Sequence, residues 1–438
     1  MKTIEQGDRS SRRRARGSAW SRMLLAMRGQ GQPFRQPVRL LRAGVLVAGV
    51  LLLAPGCEKS EPVSGEAAFH AGEPLAEERA HDAPWIAMKN MVRINTNDPV
   101  KAAVYVSRTV WPAGTDDQRP NAVVLAPKED WAVAMAAADL IHFPNNGPLL
   151  YLDAEGIPED TLAELKRLKP VGSPDNNGIQ VIVVGKVSDD ILKELRGLGL
   201  KVDAIPGDDP ARVASAIDAY YTRVSKEQPS SVIIASSEES AYAMPAVNWI
   251  AHMPEPVLYV SKQGIPQATA DALAKRRQRA VMYVLGPKEV VPEEVVEQLK
   301  AFGRVERIEA DHPIDLAIAF AKYHDPKTGF GWGMTAPGHN FSFVREGDKE
   351  LAVIQAPFAH LGKHAPLLWT SGGKVPPQVE EYLEAVRPRY KQTPVEGPFN
   401  AAWLTGAAET VMPSVQSALD ALLEIEAQSG AGHGSHGH

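Results

Sequence analysis

Three clusters of basic residues recur along the chain, each at the predicted end of a helix. In a protein whose net charge is −6, such clusters are where an anionic glycan or a lipid headgroup would bind. The alternative is that Lys and Arg at a helix C-terminus only offset the helix dipole. The predicted glycan- or anion-binding residues are Lys166, Arg167 and Lys169, then Lys275, Arg276, Arg277 and Arg279, then Arg387, Arg389 and Lys391.

Histidines offer a second kind of chemistry. His433, His436 and His438 lie in a Gly-rich C-terminal segment, and flexible tracts of this kind can bind Zn, Cu or Ni. The alternative is a solvated tail with incidental affinity for metals. Elsewhere, His360 and His364 stand four residues apart on a predicted helix, a spacing that metal ligands use. They lack the intervening Glu of a zinc protease, and with the scattered His142 and His252 they are predicted to be core or surface residues.

Signals for catalysis are absent from the sequence. Gly185, Gly286 and Gly406 each end a predicted strand before a helix, but none belongs to a Gly-x-Gly-x-x-Gly or phosphate-loop motif. No Gly-x-Ser-x-Gly motif occurs, and the chain has one cysteine, Cys57. We therefore expect no enzymatic activity and no cofactor.

Two aromatic residues lie on predicted Gly-rich loops. Trp111 begins a Trp-Pro-Ala-Gly turn, and Trp332 lies within the Gly-rich segment 329–338. Such residues can stack on sugars or cover a junction between structural units. The junction is the favoured interpretation.

The elements that must position these residues recur three times. Three segments each combine a short apolar strand, a Gly-containing bend and a Pro that precedes a helix. Their starting positions, 149, 257 and 367, differ by 108 and 110 residues, so the pattern indicates a triplicated unit. The segments are Leu149–Pro158, Val257–Pro266 and Leu367–Pro376.

Each unit is predicted to open with a strand that ends in Ile, followed by an acidic bend, a Pro and a helix. Asp98 and Asp209 fit helix N-caps, with Pro at the first helical position. In the third unit His312 replaces this Asp, and Asp311 is predicted to cap instead. The three bends are 94–99, 205–210 and 308–313.

Continuous Val, Ile and Leu strands that alternate with helices are typical of parallel sheets covered on both faces. The predicted fold class is therefore α/β, with three tandem doubly wound, Rossmann-like units. The predicted boundaries are 91–204, 205–307 and 308–427, with a His- and Gly-rich tail at 428–438.

The N-terminal segment is predicted to direct the protein to the cell envelope. Residues 1–56 are rich in Arg and include a short apolar run, Ala43–Leu53, typical of a signal peptide. The run continues into Ala-Pro-Gly-Cys57, which resembles a bacterial lipobox, so Cys57 is predicted to be lipidated. Residues 57–90 are predicted to be a flexible acidic tether, so the protein would be anchored to the membrane rather than span it. The alternative is a plain secretory signal with a chance cysteine.

Charge argues against nucleic acid as a partner. Residues 1–56 hold eleven of the 47 basic residues and two of the 53 acidic ones. Without them the chain carries 36 basic and 51 acidic residues, a net charge of −15. Nucleic-acid-binding proteins need positive charge to neutralise phosphates.

From about residue 92 to 425 the chain resembles the cell wall-binding repeat 2 family, whose repeats occur in threes in surface proteins of Gram-positive bacteria. The resemblance is carried by Pro148–Leu150, Pro256–Leu258 and Pro366–Leu368, by the helix after each Gly-x-Pro bend, and by segments 183–190 and 284–292. It implies three α/β units in a pseudo-threefold arrangement that bind an anionic cell-wall polymer without covalent attachment. The chain departs from the family at the opening bend, where Asp-Pro or His-Pro replaces an Arg-Tyr pair after Asp.

The resulting hypothesis is a lipid-anchored envelope protein that binds cell-wall or envelope polysaccharide or serves as a surface scaffold. Weak contacts from three related units would add through effective concentration. The alternative is a solute- or metal-binding lipoprotein that uses the His-rich tail or a crevice at the carboxyl ends of the strands.

Overall fold

The computed structural model describes residues 83–429. Strands and helices alternate along most of this length. The strands are β1 (Trp85–Ala87), β2 (Met91–Ile94), β3 (Val123–Pro127), β4 (Leu149–Leu152), β5 (Val181–Gly185), β6 (Val202–Pro206), β7 (Ser231–Ser236), β8 (Val257–Val260), β9 (Ala280–Leu285), β10 (Gly303–Ile308), β11 (Asn340–Arg345), β12 (Leu367–Thr370), β13 (Arg389–Tyr390), β14 (Ala401–Thr405) and β15 (Glu426–Ala427). The helices are α1 (Pro99–Val110), α2 (Trp131–Ala137), α3 (Glu159–Leu168), α4 (Asp189–Gly197), α5 (Pro210–Ser225), α6 (Ser240–Ala243), α7 (Ala246–Ile250), α8 (Gln267–Ala274), α9 (Glu293–Leu299), α10 (Pro313–Lys322), α11 (Lys349–Ile354), α12 (Pro377–Ala385) and α13 (Pro413–Leu423).

Three sheets share one strand order, and the predicted α/β class is confirmed. The orders are β4-β3-β5-β6, β8-β7-β9-β10 and β12-β11-β14-β2, and the neighbouring strands within each run parallel. The central strands are buried on both faces, as their unbroken apolar sequences require. In each sheet the order in which the strands are added changes direction between the two middle strands, so the topological switch point lies there. We call the three sheets with their covering helices units 1, 2 and 3.

The strands predicted to open the units instead complete other sheets, which corrects the boundaries drawn at 205 and 308. β6 pairs with β5 in unit 1, and β10 pairs with β9 in unit 2. β2, the first of these strands, pairs with β14 near the C-terminus and so belongs to unit 3. The helices that follow these strands belong to the next unit, since α1 packs on β4, α5 packs on β8 and α10 packs on β12. Each strand–helix connection therefore passes from one unit to the next, and β2 closes the cycle.

The caps of these crossing helices follow the sequence with one exception. The Asp98 side chain accepts hydrogen bonds from the N–H groups of Val100 and Lys101, and the Asp209 side chain accepts one from Arg212. In unit 3, Nδ1 of His312 accepts the N–H of Ile314 at 3.3 Å. The prediction that Asp311 takes over the cap is wrong, because an unprotonated imidazole nitrogen occupies the same position as the Asp oxygen.

The repeated Leu-Leu-Tyr-type strand carries a contact that joins the units. The Tyr151 hydroxyl donates to the carbonyl of Glu350 at 2.7 Å, from unit 1 to unit 3. Tyr259 donates to Ala132 at 2.7 Å, from unit 2 to unit 1, and the Trp369 indole N–H completes the cycle with Ala241 at 3.0 Å. All three rings are fully buried. The cyclic order of these bonds fits a pseudo-threefold arrangement.

The N-terminal edge of the described region is more ordered than the predicted tether. Trp85–Ala87 forms β1, which runs antiparallel to β2, so the tether predicted for 57–90 is wrong for these residues. Within residues 83–429, no helix combines the length and apolar character needed to cross a membrane. Cys57 and His433, His436 and His438 lie outside the described residues.

Candidate functional site

The three predicted basic clusters each divide into an inward arginine and outward cations. Arg276 is 4% exposed and forms a bidentate pair with Asp218 on α5, at 2.8 and 2.9 Å. It also donates to the carbonyl of Pro229 at 2.8 Å. Arg276 therefore fastens the end of α8 to its own unit and is not available to a ligand.

Arg167 has the equivalent role in unit 1. It donates to both oxygens of the buried Glu164, at 2.6 and 2.8 Å, and to the carbonyls of Trp111 and Pro112. Burial alone would raise the pKa of Glu164, but the hydrogen bonds from Arg167 and Ser107 outweigh it and lower that pKa. The carboxylate stays ionised, so the charge of Arg167 is compensated internally.

Arg387 has the same role in unit 3. It pairs with Glu384 and Glu426 at 3.0 and 2.8 Å and donates to the carbonyls of Ala421 and Leu422. The prediction that these three arginines bind a ligand is thus corrected: each meets the acceptors left unpaired where secondary structure ends.

The other seven basic residues of the clusters are exposed. In unit 1, Lys166 and Lys169 line a shallow cavity of about 310 Å³ together with Arg119. Arg119 itself donates to the carbonyl of Lys169 at 2.7 Å. The exposed residues are Lys166, Lys169, Lys275, Arg277, Arg279, Arg389 and Lys391.

Histidines that look scattered in the sequence occupy equivalent places in the fold. His142, His252 and His360 each precede the Pro of a Pro-Leu-Leu-type strand by four to six residues. His252 Nε2 lies 3.0 Å from Nδ1 of His364, and its ring stacks on Trp332 with centroids 5.5 Å apart. The prediction that His360 and His364 lie on one helix is wrong, because the chain turns after Ala359.

Burial keeps His252 and His360 uncharged. It lowers the pKa of His252 to about 3, with further contributions from His364, His360 and His142. It also lowers the pKa of His360 to about 3, with contributions from His142 and His364. Among residues 83–429 no group of three or more His, Cys, Asp or Glu side chains could hold a metal ion. His252 of unit 2 contacts His364 and Trp332 of unit 3, so these side chains pack at the junction between the two units.

Of the two predicted aromatic loops, one lies at a contact between units and the other lies inside unit 1. Trp111 is 3% exposed and donates its indole N–H to the carbonyl of Asn146 at 3.0 Å. Trp332, from the loop that follows α10, meets Trp249 of unit 2 edge-on at 5.0 Å. Phe330 of the same loop stacks on Tyr283 of unit 2 at 3.7 Å. Trp332 and Phe330 thus cover a junction between units, and Trp111 is buried within unit 1.

A crevice opens at the carboxyl edge of the unit 1 sheet, on the switch point. Its volume is about 650 Å³, and it is lined by the ends of β3, β4 and β5 and by the first turns of α2 and α4. Open α/β sheets usually bind ligands at this place. The side chains that face it include Trp131, Asp153, Lys186, Ser188, Ile191 and Asp208.

Two coupled differences leave this space open in unit 1. In units 2 and 3 five residues separate the strand-end Gly286 or Gly406 from the helix N-cap, whereas two residues separate Gly185 from the N-cap Ser188. The longer linkers place Val290 and Val411, both buried, against the strand-end glycines.

Arginines on β10 and β2 hold the longer linkers in place. Arg307 donates to the carbonyls of Gly286 and Val291, at 2.8 and 2.9 Å. Arg93 donates to the carbonyls of Gly406 and Met412, at 2.8 and 3.4 Å, and burial lowers its pKa to about 10. Ala204 occupies the equivalent register in unit 1, since Ile205, Ile308 and Ile94 all pair with the residue before the glycine. Unit 1 thus lacks both the linker and its clamp.

The sequence carries a signal for this crevice that motif searching passed over. The linker after the strand-end Gly is three residues shorter in the first copy, and Ala replaces Arg one position before the conserved Ile of the repeat. An alignment of the three copies shows both differences, whereas each copy by itself has the sequence of an ordinary turn between a strand and a helix.

Comparison with known proteins gives fold-level similarity. No family model and no curated protein matches the chain. Among solved structures, the chain is similar to Cwp6 from Clostridium difficile, with a TM-score of 0.61 and 17% identity over 76% of this chain and 48% of that one. It is also similar to Cwp8 from Clostridium difficile, with a TM-score of 0.59 and 18% identity over 77% of this chain and 52% of that one. The chain therefore spans about half the length of each neighbour.

Proposed function

We propose that the protein is a cell-envelope protein that binds wall or envelope polysaccharide without covalent attachment, through the exposed basic residues of its three units. The observation that carries the proposal is their repeated placement: after the inward arginines are set aside, each unit still presents two or three exposed cations at or beyond the C-terminal end of the same helix. The fold similarity to two cell wall proteins supports the same conclusion.

The chemistry of this surface suits a polymer better than a single small anion. Lys275, Arg277 and Arg279 make no ion pair with any described residue, so their charge is available to solvent and to a ligand. Exposed cations of this kind bind weakly and are screened by salt. A polymer that contacts two or three units at once would gain through effective concentration.

Charge reversal tests the proposal. The variant Lys275→Glu, Arg277→Glu, Arg279→Glu leaves the buried Arg276 in place and should reduce sedimentation with purified envelope polysaccharide by about tenfold at low salt. A matched control is Lys101→Glu, Lys193→Glu, Lys288→Glu, which reverses three exposed lysines elsewhere and changes net charge equally. Equal loss in both variants would reduce the effect to net charge, and no loss in either would remove these residues from the function.

Anchoring through a lipid on Cys57 is part of the same proposal. It rests on the Leu-Ala-Pro-Gly-Cys57 sequence. A Cys57→Ser variant should move from the membrane fraction to the soluble fraction and lose incorporation of labelled fatty acid. Wild-type protein that carries no fatty acid would favour the plain secretory signal.

A further inference from the structure

The crevice of unit 1 is a different surface from the basic helix ends. In a parallel α/β unit the helices run opposite to the strands, so Lys166 and Lys169, at the C-terminal end of α3, lie toward the amino edge of the sheet. The crevice lies at the carboxyl edge, where β3, β4 and β5 end. A ligand in the crevice is therefore independent of the proposed polymer contacts.

One wall of the crevice is aromatic and aliphatic. Trp131 is partly exposed there, while its other side meets Tyr259 edge-on with ring centroids 6.4 Å apart. The hydrogen bond from Tyr259 to the carbonyl of Ala132 fixes the same turn. Val133, Leu152 and Ile191 extend this apolar surface. A flat, pre-positioned indole of this kind stacks on an apolar ligand face at little entropic cost.

Polar acceptors face this wall. Asp153 and Asp208 line the crevice together with the Ser188 hydroxyl and Glu129. Asp153 is ion-paired with Lys128, and Asp208 makes no ion pair with any described residue. Carboxylates accept hydrogen bonds strongly from hydroxyl and ammonium donors.

The charge of the crevice selects against anions. Glu129, Asp130, Asp153 and Asp208 line it, against one lining cation, Lys186. A phosphate or carboxylate ligand would be repelled, and the turn after β5 lacks the glycine pattern that cradles phosphates.

We propose that the unit 1 crevice is a binding site for an uncharged or amine-bearing saccharide unit. The ring would stack its C–H face on Trp131 and donate hydroxyl or amine hydrogens to Asp153 and Asp208. The volume of about 650 Å³ is sufficient for one or two sugar rings. Units 2 and 3 fill the equivalent place with Val290 and Val411, so the site belongs to unit 1.

Two blocked variants test the site. Ala154→Trp places a large ring at an exposed lining position, and Lys262→Trp is the matched control at the equivalent position of unit 2. A chimera that replaces Lys186–Ser188 with the sequence of Pro287–Pro292 and adds Ala204→Arg should fill the crevice as in unit 2. Trp131→Ala removes the stacking surface without filling the space.

Binding is measured by saturation-transfer NMR and calorimetry on the full chain, with glucosamine, N-acetylglucosamine, their short oligosaccharides and, as an acidic probe, glucuronic acid. We expect saturation of the sugar C–H protons in wild type and in Lys262→Trp, and a loss of affinity of about tenfold or more in Ala154→Trp and Trp131→Ala. Circular dichroism shows whether the chimera is folded. If it is misfolded, the binding affinities of Ala154→Trp and Trp131→Ala test the site. Undiminished binding in Ala154→Trp, stronger binding of glucuronic acid, or no binding of any of these sugars would overturn the proposal.

The test also separates this site from the polymer surface. Lys275→Glu, Arg277→Glu, Arg279→Glu should leave saccharide affinity in the crevice unchanged within about twofold, because these residues lie in another unit. Loss of both kinds of binding in this variant would contradict an independent site.

Discussion

The contacts where the units meet, here called the centre, and the outer carboxyl edges of the sheets differ in how closely the three copies agree. At the centre, equivalent positions make equivalent hydrogen bonds: Tyr151, Tyr259 and Trp369 all donate to a carbonyl of a neighbouring unit. At the outer edges the three copies differ, since two carry an arginine-clamped linker and one carries an open crevice. The contacts that assemble three units into one body leave little freedom, whereas an edge that faces solvent can change without disturbing the fold.

The same contrast divides the basic clusters. In each cluster one arginine is bound to carboxylates and backbone carbonyls of its own unit, and its exposed neighbours make no such ion pair with any described residue. Residues that are adjacent in sequence thus have different environments. Four predictions test the contrast between the centre and the exposed surfaces.

Removal of Arg276 should have the largest effect. Arg276→Ala leaves Asp218 buried without its partner, and breaking a buried pair costs about 3–5 kcal/mol of unfolding free energy. Arg277→Ala, one residue away and exposed, should change it by less than about 0.5 kcal/mol. Urea denaturation followed by circular dichroism measures both, and similar losses would erase the distinction between inward and outward residues.

Acid should weaken the centre more than the edges. His252 and His360 stay uncharged in the fold, with pKa values of about 3, whereas unfolded histidines titrate near 6.5. Unfolding therefore takes up protons between these values, so the stability is complete above about pH 6.5 and declines as the pH falls toward 3. From pH 7 to pH 4 these two histidines should contribute a loss of about 3 kcal/mol after allowance for partial solvent access, and Glu255, whose pKa burial raises to about 7, should offset part of that loss.

The variant His252→Gln, which cannot titrate, checks the source of this pH dependence. It should flatten the slope of unfolding free energy against pH between 4 and 6.5, while a substitution of the exposed His324 should leave the slope as it is. An unchanged slope in His252→Gln would assign the acid sensitivity to carboxylates.

The aromatic donors at the centre should have an intermediate effect. Tyr151→Phe and Tyr259→Phe each keep the packed ring and remove one hydroxyl, which deletes the hydrogen bond to the carbonyl of Glu350 or Ala132. The loss of one such hydrogen bond costs about 0.5–1.5 kcal/mol. If the cyclic arrangement is energetically symmetric, the two losses in thermal or urea unfolding should agree within about 0.5 kcal/mol, and a large inequality would show that one junction dominates.

The sequence predicts the repeat and the sheet class because strand periodicity and bend residues are local signals. It assigns β2 to unit 1 instead of unit 3, because the pairing of residues 91–94 with 401–405 depends on the first and last parts of the repeat region meeting in the fold. It predicts that Arg167, Arg276 and Arg387 bind a ligand, because a helix C-terminus has the same sequence whether the cation meets solvent or acceptors of its own unit. It treats His142 and His252 as scattered, because their equivalence appears only when the three units are superimposed.

The smallest effect on stability should come from filling the crevice. Ala154→Trp and Lys262→Trp both alter exposed positions after a strand, so each should change unfolding free energy by less than about 0.5 kcal/mol. Their effects on ligand binding should nevertheless differ, because Ala154 borders open space, whereas Lys262 lies in unit 2, where Val290 covers the strand-end Gly286. Thermal unfolding beside saccharide titration measures both quantities on the same samples. A strongly destabilised Ala154→Trp would mean that the crevice wall belongs to the rigid centre, and the contrast between the two regions would then fail where it matters for function.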